Sequence, residues 1–198
     1  MVICASINAL DYVAYLNPSS QDKESVLGLY TLKESYENWY RLHNKFPTHL
    51  DASVLKEMFD NFYKIEEYAE GLPIPNTFCH GDFAGGNFLL DGTRLLVCDW
   101  QYTHIGKGIG AVAYFCDRGI DLGWPIDRDS LIACYSNALQ EKTGAMVTID
   151  TLTQYAEAST WLLTFRYWTE YLQDSNAERV AGIYTGMVEK YIALQKYI

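Results

Sequence analysis

The stretch CHGDFAGGNFLLDGTRLLVCDWQ, residues 79–101, decides how this chain is read. Two short apolar runs, Phe88-Leu89-Leu90 and Leu95-Leu96-Val97-Cys98, flank Asp91-Gly92. Asp-Gly between apolar runs signals a hairpin, because glycine accepts the positive φ that a tight reversal requires. A reversal at positions 91–92 predicts Asn87, at the start of one strand, beside Cys98 and Asp99, at the end of the other. Asp82 lies a few residues upstream. Asn87 and Asp99 then offer two oxygen ligands at the open end of a small ribbon. Such a set suits Mg²⁺, a hard cation that takes few protein oxygens and leaves the rest of its shell to phosphate and water. A zinc site from Cys79, His80 and Cys98 fits less well. Neighbouring strand residues point to opposite faces, and the chain has no CxxC pair.

His80-x-Asp82, with Asn87 five residues beyond the aspartate and Asp99 after the hairpin, resembles the catalytic and metal-binding segments of the protein-kinase-like fold. The local wording, HGDFAGGN and then CDWQ, is similar to the small-molecule branch: aminoglycoside phosphotransferases, choline/ethanolamine kinases and the ecdysteroid-kinase-like (CHK) group. The resemblance implies that Asp82 is the catalytic base and that His80 braces its loop. It also implies that Asn87 and Asp99 are the metal ligands through which the cofactor, ATP with Mg²⁺, is held. The acceptor would be a small-molecule alcohol. By the same resemblance, residues 161–171 form an acceptor wall. Trp161, Trp168, Glu170 and Tyr171 would then hold an ammonium group by cation–π and charge pairing. Aromatics at this spacing are more usually helix core. One departure stands out: Ala111-Val112-Ala113 occupies the place where these families carry Asp-Leu-Ala, whose aspartate ties the catalytic loop down.

A chain of 198 residues is expected to form one domain, 1–198, with a substantial core. Its net charge of −10, from 25 acidic and 15 basic residues, argues against a nucleic-acid or anionic-membrane partner. Five widely spaced cysteines, Cys4, Cys79, Cys98, Cys116 and Cys134, read as reduced, buried thiols of a cytoplasmic protein. The start, MVICASINALDYVAYL, has no basic n-region and is interrupted by Asp11, so it reads as neither signal peptide nor membrane span.

Helical periodicity predicts one helix through Ala9, Leu10, Val13 and Leu16, and a second from Ser19-Ser20 to a break at Pro47. Asp51 reads as the N-cap of a third, ending near Ala69 before Gly71 and Pro73. Residues 76–79 read as a strand feeding the His-Gly-Asp loop. The glycine-rich residues 106–110 lead into a short helix at 111–119. Further helices are expected at about 127–142, from about 150 through Leu172, and at about 177–197. The fold class is α+β, mainly α: the carboxy-terminal lobe of a protein-kinase-like fold, with a small β-hairpin carrying the catalytic and metal-binding loops.

Nothing before residue 80 reads as a GxGxxG loop or as alternating strands. Lys23, Lys33, Lys45, Lys56 and Lys64 all sit in polar helical or loop contexts. The resemblance therefore implies that the nucleotide-gripping amino-terminal lobe is absent. The sequence is then a fragment or a gene model begun at an internal methionine, or a second chain supplies the lobe, or the protein has left catalysis. Two functions follow: a phosphotransferase acting on a small-molecule hydroxyl, or a non-catalytic kinase-like binding module or pseudokinase lobe.

Overall fold

The structure, a computed structural model, describes residues 31–198. The helix read at residues 9–16, the start of the second helix, Cys4 and Lys23 lie outside the described residues. Two compact units divide what is described. One is residues 31–72 with Glu157–Ile198, the other Pro73–Ala156.

The first unit is helical. Helix α1, Leu32–Lys45, starts at a capping box: Thr31 accepts from the Glu34 amide while the Glu34 side chain accepts from the Thr31 amide. Helix α2, Ala52–Gly71, starts where the Asp51 carboxylate accepts from the Ser53 and Val54 amides. It buries Leu55, Met58, Phe62, Ile65 and Ala69, the three-and-four spacing that puts side chains on one face. Helix α5, Ile149–Tyr167, brings Trp161 and Phe165 to this unit, and α7, Ala177–Leu194, brings Tyr184 and Tyr191; a single turn, α6 (Thr169–Leu172), lies between them. The long helix expected from about residue 150 to Leu172 is thus interrupted at Trp168.

Rings dominate this core. The Trp161 centroid lies 5.5 Å from Phe165, 5.8 Å from Phe62 and 5.8 Å from Tyr191. Two polar tips are satisfied at the margins: Trp39 Nε1 donates to the Phe165 carbonyl at 2.8 Å, and Tyr191 OH donates to Glu57 at 2.9 Å, whereas Trp161 Nε1 is buried with no hydrogen-bond partner among the described residues.

The second unit carries the β structure. Strand β1, Thr77–Cys79, pairs antiparallel with β4, His104–Gly106; β2, Phe88–Asp91, pairs antiparallel with β3, Arg94–Val97. Helices α3, Ile109–Asp121, and α4, Arg128–Thr143, pack on each other. Arg128 reaches Asp117 at 3.7 Å, and burial pushes the Cys116 thiol up to about 11. Lys107, in the glycine-rich stretch, is buried with Nζ 5.3 Å from the Tyr155 ring centroid. Among the described residues no helix is long and apolar enough to cross a membrane.

The cap carboxyls make stability depend on pH. Asp51 is held below the ordinary carboxylate range by the Ser53 hydroxyl and then the Ser53 and Val54 amides. Asp127 is held low by the Ser130 hydroxyl and amide. A depressed folded value means that the stability is complete above the ordinary range and disappears as pH falls through the folded value. Asparagine caps without titrating. The double variant Asp51→Asn, Asp127→Asn is therefore expected to melt like the parent at neutral pH. Its melting temperature should fall less steeply between about pH 5 and pH 3, as read by circular dichroism.

Candidate active site

Strand β1 delivers the chain to His80, Gly81 and Asp82. Gly81 has φ +87°, and a Cβ there would stand 2.1 Å from the Tyr102 carbonyl oxygen. Only glycine tolerates both the conformation and the contact. His80 is buried at 3% exposure and spans two segments. Its Nδ1 lies 3.3 Å from the Asp82 amide nitrogen and its Nε2 lies 2.9 Å from the Cys98 carbonyl oxygen. One neutral tautomer, with the proton on Nε2, satisfies both partners at once. The ring also lies 4.6 Å from Trp100, whose Nε1 donates to the Val97 carbonyl at 2.8 Å.

A 3₁₀ turn at Gly85–Asn87 follows Asp82. Asn87 Nδ2 donates to the Asp82 backbone carbonyl at 2.8 Å and to its carboxylate at 3.0 Å. That commitment fixes the side chain and leaves Oδ1 without a protein partner among the described residues. The Cys98 amide donates to the Asn87 carbonyl at 3.0 Å, so the far end of the ribbon returns to this loop. Asp99, the next residue, is exposed and has φ +64°, the one non-glycine residue with positive φ among those described. Aspartate tolerates this region better than most residues, at a cost of roughly 1–2 kcal/mol.

The pairing Phe88↔Val97 through Asp91↔Arg94 places the reversal at Gly92-Thr93, not Asp91-Gly92. Gly92, at φ +61°, is the first of two central residues, the position at which a type II′ hairpin turn takes glycine. Asp91 ends β2 opposite Arg94. The one-residue offset leaves Asn87 beside Cys98.

The structure thus joins Asp82 to Asn87 directly, His80 to both Asp82 and Cys98, and Asp99 to the loop through its neighbour Cys98. Trp161, Trp168, Glu170 and Tyr171 belong to the helical unit. Trp161 is fully buried among Phe62, Phe165 and Tyr191, so as an acceptor wall it is corrected to core: no face of it remains for a substrate. Trp168 is half-buried, and Glu170 and Tyr171 are exposed. Sequence reasoning missed β4 and the approach of Tyr102 to Gly81. A three-residue strand has no period to detect, and only Gly81 itself hinted at a close neighbour.

The hydrogen-bonded set of His80, Asp82 and Asn87, with Asp99 directly after Cys98, is carried by a mainly helical fold with two small sheets. Residues 28–129, just over half of the chain, match the phosphotransferase enzyme family (APH), and the chain belongs to that family. Among solved structures it is similar to a choline kinase from Cryptosporidium parvum, at 14% identity and a TM-score of 0.58 over 97% of this chain and 64% of that one. A putative aminoglycoside phosphotransferase from Ralstonia eutropha aligns at 15% identity and a TM-score of 0.49, over 97% of this chain and 63% of that one. The chain therefore spans just under two thirds of the length of either protein. No curated protein matches the sequence.

Gly81→Ala is expected to destabilise the protein by more than about 1 kcal/mol in urea unfolding, since it adds a backbone clash to an unfavourable φ. Gly86→Ala, whose Cβ would meet nothing within 4 Å, is the matched control and should stay near the parent.

Proposed function

We propose that the chain transfers the γ-phosphoryl group of ATP to a hydroxyl of a small molecule, with Asp82 as the base. The observation that carries this reading is the Asn87–Asp82 bond, which locks an aspartate and an amide oxygen into one loop. The fit to Mg²⁺ rests on the donor chemistry. Asn87 Oδ1 and the Asp99 carboxylate have no protein partner among the described residues, and both are hard oxygen donors. When bound, the ion neutralises charge developing on the phosphate oxygens.

The protein's part is positional. The Asp82 carboxylate, oriented by Asn87 Nδ2, accepts the proton of the acceptor hydroxyl. The hydroxyl oxygen forms a bond to the γ-phosphorus as the bond from that phosphorus to the β–γ bridging oxygen breaks. ADP and a phosphate monoester leave, and the proton passes from Asp82 to solvent. His80 holds the loop through Cys98 without touching the reacting atoms. The net charge of −10 is compatible with a cationic acceptor, such as an amino alcohol or an aminoglycoside.

The test is ATP turnover with a panel of amino alcohols and aminoglycosides. Asp82→Ala should lower kcat by about 10²–10⁴-fold with nucleotide binding retained. Asp99→Ala should instead raise the Mg²⁺ requirement. Undiminished turnover in Asp82→Ala would remove the base from its role. Absence of turnover in the parent would favour the non-catalytic binding module.

A further inference from the structure

Helix α3 ends beside the loop that carries Asp82 and Asn87, and the residue that fills the gap is Trp124. After Asp121 the chain turns back: the Leu122 amide donates to the Arg118 and Gly119 carbonyls, and the Trp124 amide donates to the Gly119 carbonyl at 2.9 Å. The indole then lies against two glycines. A Cβ on Gly85 would stand 2.2 Å from Trp124 Cη2, and a Cβ on Gly119 would stand 2.1 Å from Ile126 Cδ1 and 2.9 Å from Trp124 Cε3. The ring, 40% exposed, thus lies in space that a side chain on Gly85 would fill, and beside Gly119 it shares such space with Ile126.

A row of aromatics leads from this ring to the chemistry-bearing residues. Asp82 and Asn87 are each followed by a phenylalanine, Phe83 and Phe88, whose centroids are 4.7 Å apart. Both rings pack on Phe115 of α3, at 6.0 Å and 5.6 Å, and Phe115 lies 6.1 Å from Trp124. The 3₁₀ turn itself, Gly85-Gly86-Asn87, has no side chain before Asn87 with which to anchor itself. At Gly85 itself the nearest neighbour is the indole edge.

We propose that Trp124 is a positioning residue: by lying against Gly85 and Gly119 it sets the pose of Asn87 against Asp82, and through it the affinity for the metal. This rests on the assignment of Asn87 as a metal ligand, but its geometric part can be read without any turnover. Removing the indole frees the 3₁₀ turn to shift. Adding a Cβ at Gly85 pushes the same turn away from an intact indole. The two changes together place the new methyl in the space the ring has left, so their effects should offset one another.

The experiment compares the parent, Trp124→Ala, Gly85→Ala and the double variant in the full chain. The first readout is the pair of Asn87 Nδ2 proton signals in ¹⁵N-resolved NMR, which report its bonds to Asp82. The second is the Mg²⁺ concentration giving half-maximal activity. Each single variant should move the Asn87 signals towards those of a solvated amide and raise the half-maximal Mg²⁺ concentration on the order of tenfold, as for loss of a residue supporting a metal ligand. The double variant should recover part of both. A folded Trp124→Ala protein with unmoved Asn87 signals would overturn the proposal, and so would a double variant whose losses simply add. If the parent shows no turnover, the Asn87 signals alone decide: a coupled shift supports the positioning role while the phosphotransfer reading falls.

Discussion

Cys98 is the junction on which the site depends. Its amide donates to the Asn87 carbonyl, its carbonyl faces His80 Nε2, and its thiol lies 3.2 Å from the Asn87 carbonyl. One residue therefore ties the ribbon's end to the loop that precedes the ribbon. Each such bond contributes only about 1 kcal/mol net, but a buried partner left unsatisfied costs about 1–3 kcal/mol. His80 is buried, so the asymmetry works against any opening of this junction: losing Cys98 strands an imidazole N–H as well as a backbone carbonyl.

That closure explains how an unfavourable backbone conformation can persist at Asp99. The residue follows directly on Cys98 and precedes Trp100, whose ring is held on three sides: by His80 at 4.6 Å, by Phe78 at 6.0 Å and by its own bond to the Val97 carbonyl. With both neighbours fixed, the chain crosses the left-handed region in the one residue between them. Strain that the surroundings over-determine is a recurrent property of ligand-holding positions. Here it falls on Asp99, the carboxylate proposed as a metal ligand.

Much of the helical scaffold was legible because its signals are local. Asp51 and Asp127 are caps whose hydroxyl partners, Ser53 and Ser130, follow within three residues, and Gly144 closes α4 in the left-handed conformation. The hairpin was legible too, though its turn lies one residue later than the Asp-Gly pair indicated, since Asp91 completes the ladder opposite Arg94. The pairing of β1 with β4 was not legible: it joins residues 27 or so apart through three-residue strands, which carry no alternation. Trp161 shows the other limit. Spacing alone gives an aromatic helix face, and only the placement of Phe62 and Tyr191 decides that the ring is core.

The charge pattern of the loop narrows how a phosphate-bearing substrate could be received. Residues 80–101 carry Asp82 and Asp99 near Asn87 and Cys98, whereas Asp91 and the single permanent cation, Arg94, face each other at the hairpin turn, at the far end of the ribbon. His80 accepts one bond and donates the other as a neutral ring, so it adds no charge. A triphosphate brought to this loop would therefore meet carboxylates first, and unscreened carboxylate–phosphate contacts are repulsive. A divalent cation held by Asn87 and Asp99 would invert the sign of that interaction, as the largest local charge in such a site. In the proposed reaction the acidic loop and the ion thus form a single electrostatic unit: Asn87 contributes a neutral oxygen that costs no further repulsion, and Asp82 remains available to take the proton.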